Sequence, residues 1–367
     1  MDDQELQMTR RVAVVLFNLG GPDAPEAVRP FLVNLFTDPA ILRVPDFVRP
    51  WLGRLIAWKR VKAAQENYAI IGGRSPLREL TEEQARALET ALNAREPGTE
   101  YRCFVAMRYW HPFSDEAARA VKDWRADEVL LIPLYPQYSS TTTGSSVTAW
   151  NEASAAIGLA LPTSTLCCFH SDAGFAQATA RLVEEAHAKA RAELPAEVKL
   201  RVLFSAHGLP ERIVKAGDPY QWQVERTMAA VVAAMDLPGL DHVVCYQSRV
   251  TPQKWIGPST EAEIVRAAGE KVAVLICPIA FVSEHSETLV ELDVEYRHVA
   301  EQHGIPGYFR VPAQNADAGF IAALADLTRR TQHSARTLCS FAGARQCPRE
   351  HSDCPHAKAN ALLAKAA

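Results

Sequence analysis

Short apolar runs alternate with longer segments of helical period along most of the chain. The runs at 12–17, 101–106, 128–134, 200–204, 242–246 and 272–277 are mostly apolar and too short for helices, and those at 12–17 and 272–277 are apolar throughout and rich in β-branched residues. Such runs predict strands buried on both faces of a parallel sheet, since a strand with one wet face alternates apolar with polar residues. The segments between them carry apolar residues three and four apart, and Thr81/Gln84 and Thr260/Glu263 read as capping boxes opening two of these helices. Strand and helix in strict alternation imply right-handed βαβ units. A faint echo links Leu16-Phe17 with Leu203-Phe204, and 131–134 with 275–279. The expected fold is therefore α/β, with two similar Rossmann-like lobes, each a doubly wound parallel sheet flanked by helices. The expected division is 1–170, 171–330 and a Cys-rich extension, 331–367, with a ligand cleft between the lobes at the strand ends.

Two segments depart from this pattern. At 43–62, Phe47, Trp51, Leu55 and Trp58 form a stripe at helical spacing, edged by Arg43, Arg49, Arg54, Lys59, Arg60 and Lys62. A basic, Trp-bearing stripe of this kind lies on a membrane surface, roofs an apolar pocket or packs into the core, and it is too short to span a bilayer. At 271–296 a buried strand ends at Pro278, and Ser283 is the predicted N-cap of a helix carrying Glu284, Glu287, Glu291 and Glu295 on one face. Leu289, Leu292 and Tyr296 are expected on the other. Four carboxylates in a row ordinarily mark a solvated face. Here they follow the carboxyl end of a buried strand, where open α/β sheets place ligands, and His285 lies among them, which suits a divalent metal or protons in transit.

Composition narrows the function. A formal net charge of −4 over 367 residues, without a basic arm, excludes an ordinary nucleic-acid binder. The first residues are polar and acidic, with no apolar signal segment and no run of about 18 apolar residues anywhere, so a cytoplasmic protein is expected and its eight cysteines should be reduced or metal-bound. Gly20-Gly21 lacks the dinucleotide spacing and reads as a bare turn. The other strand-end loops bring aromatic residues, among them Tyr68, Tyr135, Tyr138, Tyr220 and Phe281, together with Arg74, Arg108, Arg249 and His207. Flat apolar walls, a few cations and a histidine facing carboxylates fit a planar anionic ligand that exchanges protons and meets a metal.

At this point the motifs become specific. Phe204-Ser205-Ala206-His207-Gly208-Leu209-Pro210 with Gly217-Asp218-Pro219-Tyr220, Ser283-Glu284-His285-Ser286-Glu287-Thr288-Leu289, Gly72-Gly73-Arg74-Ser75-Pro76, Met107-Arg108-Tyr109 and Trp255-Ile256-Gly257-Pro258 occur in order. Over about 12–327 the chain resembles the ferrochelatases, the terminal enzymes of haem synthesis. The resemblance implies the two-lobed chelatase fold, insertion of ferrous iron into protoporphyrin IX and loose, peripheral contact with the inner membrane, with a homodimer as one assembly. It implies His207 as proton acceptor or iron ligand on one side of the macrocycle, and Glu287 with Glu291 on the other, passing iron or protons. Met107, Tyr109 and Trp255 would wall the ring, and Arg108 and Ser140 would meet the propionates. The rivals are a chelatase for another metal or ring, such as coproporphyrin, and a carrier that binds porphyrin or haem without turnover.

The tail holds Cys339, Cys347 and Cys354 in the pattern C-x7-C-x6-C. Three thiolates need a fourth partner, for which Cys168 is preferred and Cys167 is its near equal; Cys103, Cys245 and Cys277 fall in strands and read as apolar core. Free surface thiols and a zinc site using His351 or His356 are the other readings. Some ferrochelatases carry a [2Fe–2S] cluster on such an extension, and the resemblance implies one here.

Overall fold

The structure, a computed structural model, describes residues 9–248 and 253–359; Arg249 of the strand-end loops lies outside them. The first half runs β1 (Arg10–Asn18), α1 (Val28–Thr37), α2 (Arg49–Ile70), α3 (Leu77–Asn93), β2 (Thr99–Met107), α4 (Ser114–Asp123), β3 (Glu128–Pro133), α5 (Thr143–Ala156) and β4 (Thr163–Leu166). The second runs α6 (Ala173–Glu193), β5 (Leu200–His207), α7 (Glu211–Lys215), α8 (Tyr220–Ala234), β6 (Asp241–Gln247), α9 (Thr260–Gly269) and β7 (Ala273–Pro278). A π-helix (Glu287–Glu295), α10 (Tyr296–Gln302), β8 (Tyr308–Arg310), α11 (Ala318–Gln332) and β9 (Leu338–Cys339) complete it.

The strands form two sheets, ordered β2-β1-β3-β4-β9 and β6-β5-β7-β8, with every pairing parallel. Ignoring β9, the two orders are the same, so the faint sequence echo has a structural counterpart. Alternate residues of each central strand feed opposite cores. Val12, Val14 and Leu16 meet Leu88, Phe320 and Leu324, whereas Ala13, Val15 and Phe17 meet Val121 and Trp150. In the second sheet Val202 and Phe204 meet Val183 and Val224, while Leu203 meets Ile264 and Leu292. Each fully buried aliphatic or aromatic side chain contributes roughly 1.5–3 kcal/mol of transfer free energy, which explains why both faces of these strands are apolar.

The boundary differs from the expected division. α6 is shared: Phe175 and Ala178 pack into the first lobe, Ala176, Ala180 and Val183 into the second. α11 lies within the range assigned to the second lobe, yet Phe320, Leu324 and Leu327 join the first core, and β9 extends the first sheet beside β4. Sequence separation assigned these segments; their apolar faces found their partners across the lobes. Two helix starts also differ. α3 begins after Pro76, so Thr81 is interior and its hydroxyl donates to Leu77 O at 2.6 Å. α9 is capped by Ser259, which accepts from Ala262 N, rather than by Thr260.

Candidate active site

In a sheet of order β6-β5-β7-β8 the chain reverses direction of build between β5 and β7, and ligands collect outside the carboxyl ends at such a switch point. His207 is the last residue of β5, and the loop leaving β7 leads to Glu287. Their side chains meet there, Nε2 of His207 lying 3.7 Å from Oε1 of Glu287. Nδ1 of His207 is 2.6 Å from the Gly208 carbonyl, which can only accept, so the ring proton sits on Nδ1 and the Nε2 lone pair faces Glu287. Gly208 is required by close packing: a Cβ there would come within 2.8 Å of Gln247 O and 3.2 Å of Trp255 Cε3. Trp255 thus lies against the peptide next to the catalytic histidine candidate.

The acidic segment is a π-helix, a rare form found mostly at functional sites. Its wider turn keeps Glu287, Glu291 and Glu295 in line. Burial raises the pKa of Glu287; the charge of His207 works against this and that of Glu291 with it. Among the described residues, Oε2 of Glu287 is buried without a hydrogen-bond partner. Glu291, by contrast, accepts from Gln247 Nε2 at 3.0 Å, Ser248 N at 2.8 Å, Ser248 Oγ at 2.5 Å and Tyr296 Oη at 3.1 Å. With four donors the Glu291 carboxylate has its hydrogen-bonding capacity taken up, which leaves Glu287 beside it as the group free to take a proton or a cation. Glu295 reaches the surface, accepting from Asn67 Nδ2 at 3.3 Å.

Several expectations for this segment are corrected. Ser283 is no N-cap; it is buried and its hydroxyl donates to Gln84 Oε1 at 3.0 Å. Glu284 leaves the acidic row: Arg310 Nη1 binds it at 2.8 Å, Ala313 N donates to it at 2.9 Å, and Arg310 also holds Asp293 in a bidentate pair at 2.7 Å. Tyr296 packs with Leu292 against the second core as expected, while its hydroxyl reaches across to Glu291. His285 is neutral, its pKa lowered to about 3 by burial and by the charges of His207 and Arg310, and its Nδ1 accepts from Glu287 N at 3.0 Å. Gln84, Gln247, Ser248 and Arg310 carry this arrangement without any local motif; only the fold brings them to it.

The residues expected to wall a ring divide into two groups. Met107 and Tyr109 are buried inside the first lobe, Met107 beneath the Gly20 turn and Tyr109 donating its hydroxyl to buried Asp38 at 2.8 Å. Neither presents a surface to a ligand. Gly20 sits at φ 84°, where a Cβ would lie 3.1 Å from Met107 Cβ, so glycine is needed there for that turn and not for phosphate. Arg108 is partly exposed, paired with Asp38 at 2.9 Å. Ser140 accepts from Arg43 Nη2 at 3.0 Å and donates to Asp218 at 2.8 Å.

The 43–62 stripe is not core. Phe47, Trp51, Leu55 and Trp58 are 80, 75, 47 and 62 % exposed, Phe47 in the turn before α2 and the other three on the helix. The far end of α2 meets the acidic segment, where Ser286 Oγ approaches Tyr68 Oη at 3.5 Å and burial pushes the Tyr68 pKa up to about 12. Among the described residues no helix is long and apolar enough to cross a membrane.

Cys168, Cys339, Cys347 and Cys354 are all buried, so the tail thiols are not surface groups. Cys167 and Cys168 have their sulfurs 3.4 Å apart, Cys354 hydrogen-bonds with Cys347 and has its pKa lowered to about 6 by that bond, and Cys339 Sγ is turned to Arg336 O at 3.3 Å. By residue type and burial this donor set suits a thiolate-held group. Among the described residues, however, no three such side chains converge into a metal-holding cluster.

Comparison with known proteins gives one answer. The family model described as ferrochelatase matches residues 11–332. The ferrochelatase of Caulobacter vibrioides is 52 % identical over 348 residues, 95 % of this chain and 98 % of that protein. That of Hyphomonas neptunium is 50 % identical over 353 residues, 96 % of each. Among solved structures, the sirohydrochlorin chelatase SirB from Bacillus subtilis in complex with cobalt superposes with a TM-score of 0.51 at 9 % identity, covering 89 % of this chain and 97 % of that one, a likeness of fold.

Proposed function

The chain belongs to the ferrochelatase family, the metal-inserting enzymes of haem biosynthesis, and from that membership we propose how its own residues carry the reaction. Ferrous iron enters protoporphyrin IX and two pyrrole protons leave. Removing those protons requires an acceptor beside the ring nitrogens, and the metal must be offered where the lone pairs point. His207 is the acceptor, its Nε2 lone pair fixed outward by the Nδ1 bond to Gly208 O. Glu287, whose buried Oε2 has no hydrogen-bond partner among the described residues, is the group opposite that passes iron or takes a proton, and Glu291 and Glu295 continue that line to the surface. Trp255 walls the ring beside His207, Arg108 and Ser140 meet the propionates, and Met107 and Tyr109 support the wall from within the lobe. The observation that carries this reading is the convergence of His207 and Glu287 at the β5/β7 switch point. The test is anaerobic turnover with ferrous iron, run against proto- and coproporphyrin in parallel: many equivalents of protoporphyrin converted per chain supports it, a single stoichiometric bleach means a carrier, and preference for coproporphyrin changes the substrate.

The exposed stripe of Phe47, Trp51, Leu55 and Trp58, edged by arginines and lysines, is the peripheral membrane contact in this reading. An apolar porphyrin partitions into lipid, and a lip on the same helix that touches the acidic segment shortens its path to the site.

The tail is proposed to hold a [2Fe–2S] cluster through Cys168, Cys339, Cys347 and Cys354. What supports this is that all four thiols are buried, with Cys347 and Cys354 hydrogen-bonded to each other. A cluster there would supply a redox-sensitive cross-link between the tail and β4. Anaerobically purified protein should be reddish-brown with two irons and two labile sulfides per chain, and Cys347→Ser should be colourless. Colourless wild-type protein with one zinc per chain would replace the cluster with a zinc clasp.

A further inference from the structure

Gln247 ends β6 and stands opposite His207 in the β5/β6 register. It is fully buried and every polar atom of its amide is engaged. Oε1 accepts from Ser205 Oγ at 2.8 Å, while Nε2 donates to the Glu287 carbonyl at 3.1 Å and to Glu291 Oε2 at 3.0 Å. Its own carbonyl accepts from Gly208 N at 2.8 Å, the peptide beside His207. One side chain and one peptide therefore join the strand that carries His207 to two residues of the π-helix a turn apart.

The neighbouring residue reinforces this joint. Ser248 sits at φ 63°, a left-handed conformation that is unfavourable for a non-glycine residue. In that conformation its N–H and its hydroxyl both reach Glu291. A π-helix is the less common way to wind nine residues, so its geometry depends on such outside bonds, here Gln247 and Ser248 on one side and Arg310 on the other.

We propose that Gln247 is a positioning residue for metal insertion: by holding the Glu287 peptide and the Glu291 carboxylate to the His207 strand, it sets the approach of Glu287 to His207. This rests on His207 and Glu287 being the acting pair. Gln247 touches neither ring nor metal. A misplacement of about 1 Å in an acting group is enough to cost on the order of 100-fold in rate, so a residue of this kind shows in kcat before it shows in substrate binding.

The experiment compares Gln247→Met, nearly isosteric but without donor or acceptor, with His207→Ala, Glu291→Gln and the Gln247→Met/Glu291→Gln double variant, with kcat expressed per porphyrin-binding site. Gln247→Met should lose tenfold or more in kcat with KM for porphyrin within about twofold, and the double variant should lose clearly less than the product of the single losses, because the two residues share one bond. Ser248→Ala, which leaves the buried core untouched, should lower kcat in the same direction and covers the case in which Gln247→Met does not fold. Wild-type kcat in both Gln247→Met and Ser248→Ala, or strictly multiplicative losses, overturns the positioning role while leaving the acting pair intact. Undiminished turnover in His207→Ala overturns the acting pair, and the positioning role with it.

Discussion

Nε2 of His207 and Oε1 of Glu287 lie 3.7 Å apart, too far for a hydrogen bond and close enough to feel each other's charge. Both atoms are acceptors when the histidine is neutral, and the raised pKa of Glu287 fits a pair that holds a proton or a cation between its members. His207→Ala should abolish insertion, a loss of about 100-fold or more, while porphyrin binding measured by fluorescence quenching stays within a few-fold of wild type. Glu287→Gln should be comparably damaging. Near-normal turnover in either variant would remove that residue from the chemistry.

Glu284 separates charge from function. Its carboxylate is held by Arg310, Ala313 N and Thr288 Oγ1. Glu284→Gln should therefore cost stability, roughly 1–3 kcal/mol for weakening a mostly buried ion pair, and change kcat per folded molecule little. Denaturant unfolding and turnover measured on the same preparation distinguish this from a loss specific to catalysis.

Trp51→Ser with Leu55→Ser tests the exposed stripe. Because both side chains face solvent, the melting temperature should move by less than a few degrees. Co-sedimentation with vesicles containing anionic lipid should fall several-fold. A large fall in melting temperature with unchanged vesicle binding would assign the stripe to the fold and not to a lipid surface.

His285 gives a pH dependence with a definite sign. It is neutral in the folded protein down to about pH 3, whereas in the unfolded chain it takes a proton near the ordinary histidine value of about 6.5. The unfolded state binds the extra proton in that window, so stability contributed by neutral His285 is present above pH 6.5 and is lost as pH falls toward 3. His285→Asn keeps an acceptor for Glu287 N and should flatten the fall in melting temperature between pH 7 and pH 5. An unchanged slope would mean that other groups control that window.

Much of this protein is legible in its sequence because the information is local. Runs such as 12–17 and 272–277 are apolar on every residue, and that alone requires a strand covered on both faces and hence parallel sheets with helices on each side. The motifs around His207 and Glu287 name the family and mark the pair proposed to act, and the stripe from Phe47 to Trp58 shows in its spacing. What the sequence left open was decided by partners distant in the chain. Periodicity places Glu284 in the acidic row, but Arg310 draws it out; the family resemblance makes Tyr109 a ring wall, but the side chain is buried with its hydroxyl on Asp38. α11 and β9 return to the first lobe, and Gln247 and Ser248 fix Glu291, through contacts that no local pattern announces. A repeat along the chain determines which face of an element is apolar or charged; only packing determines which other element covers that face, and so which carboxylate is neutralised and which is left free to act.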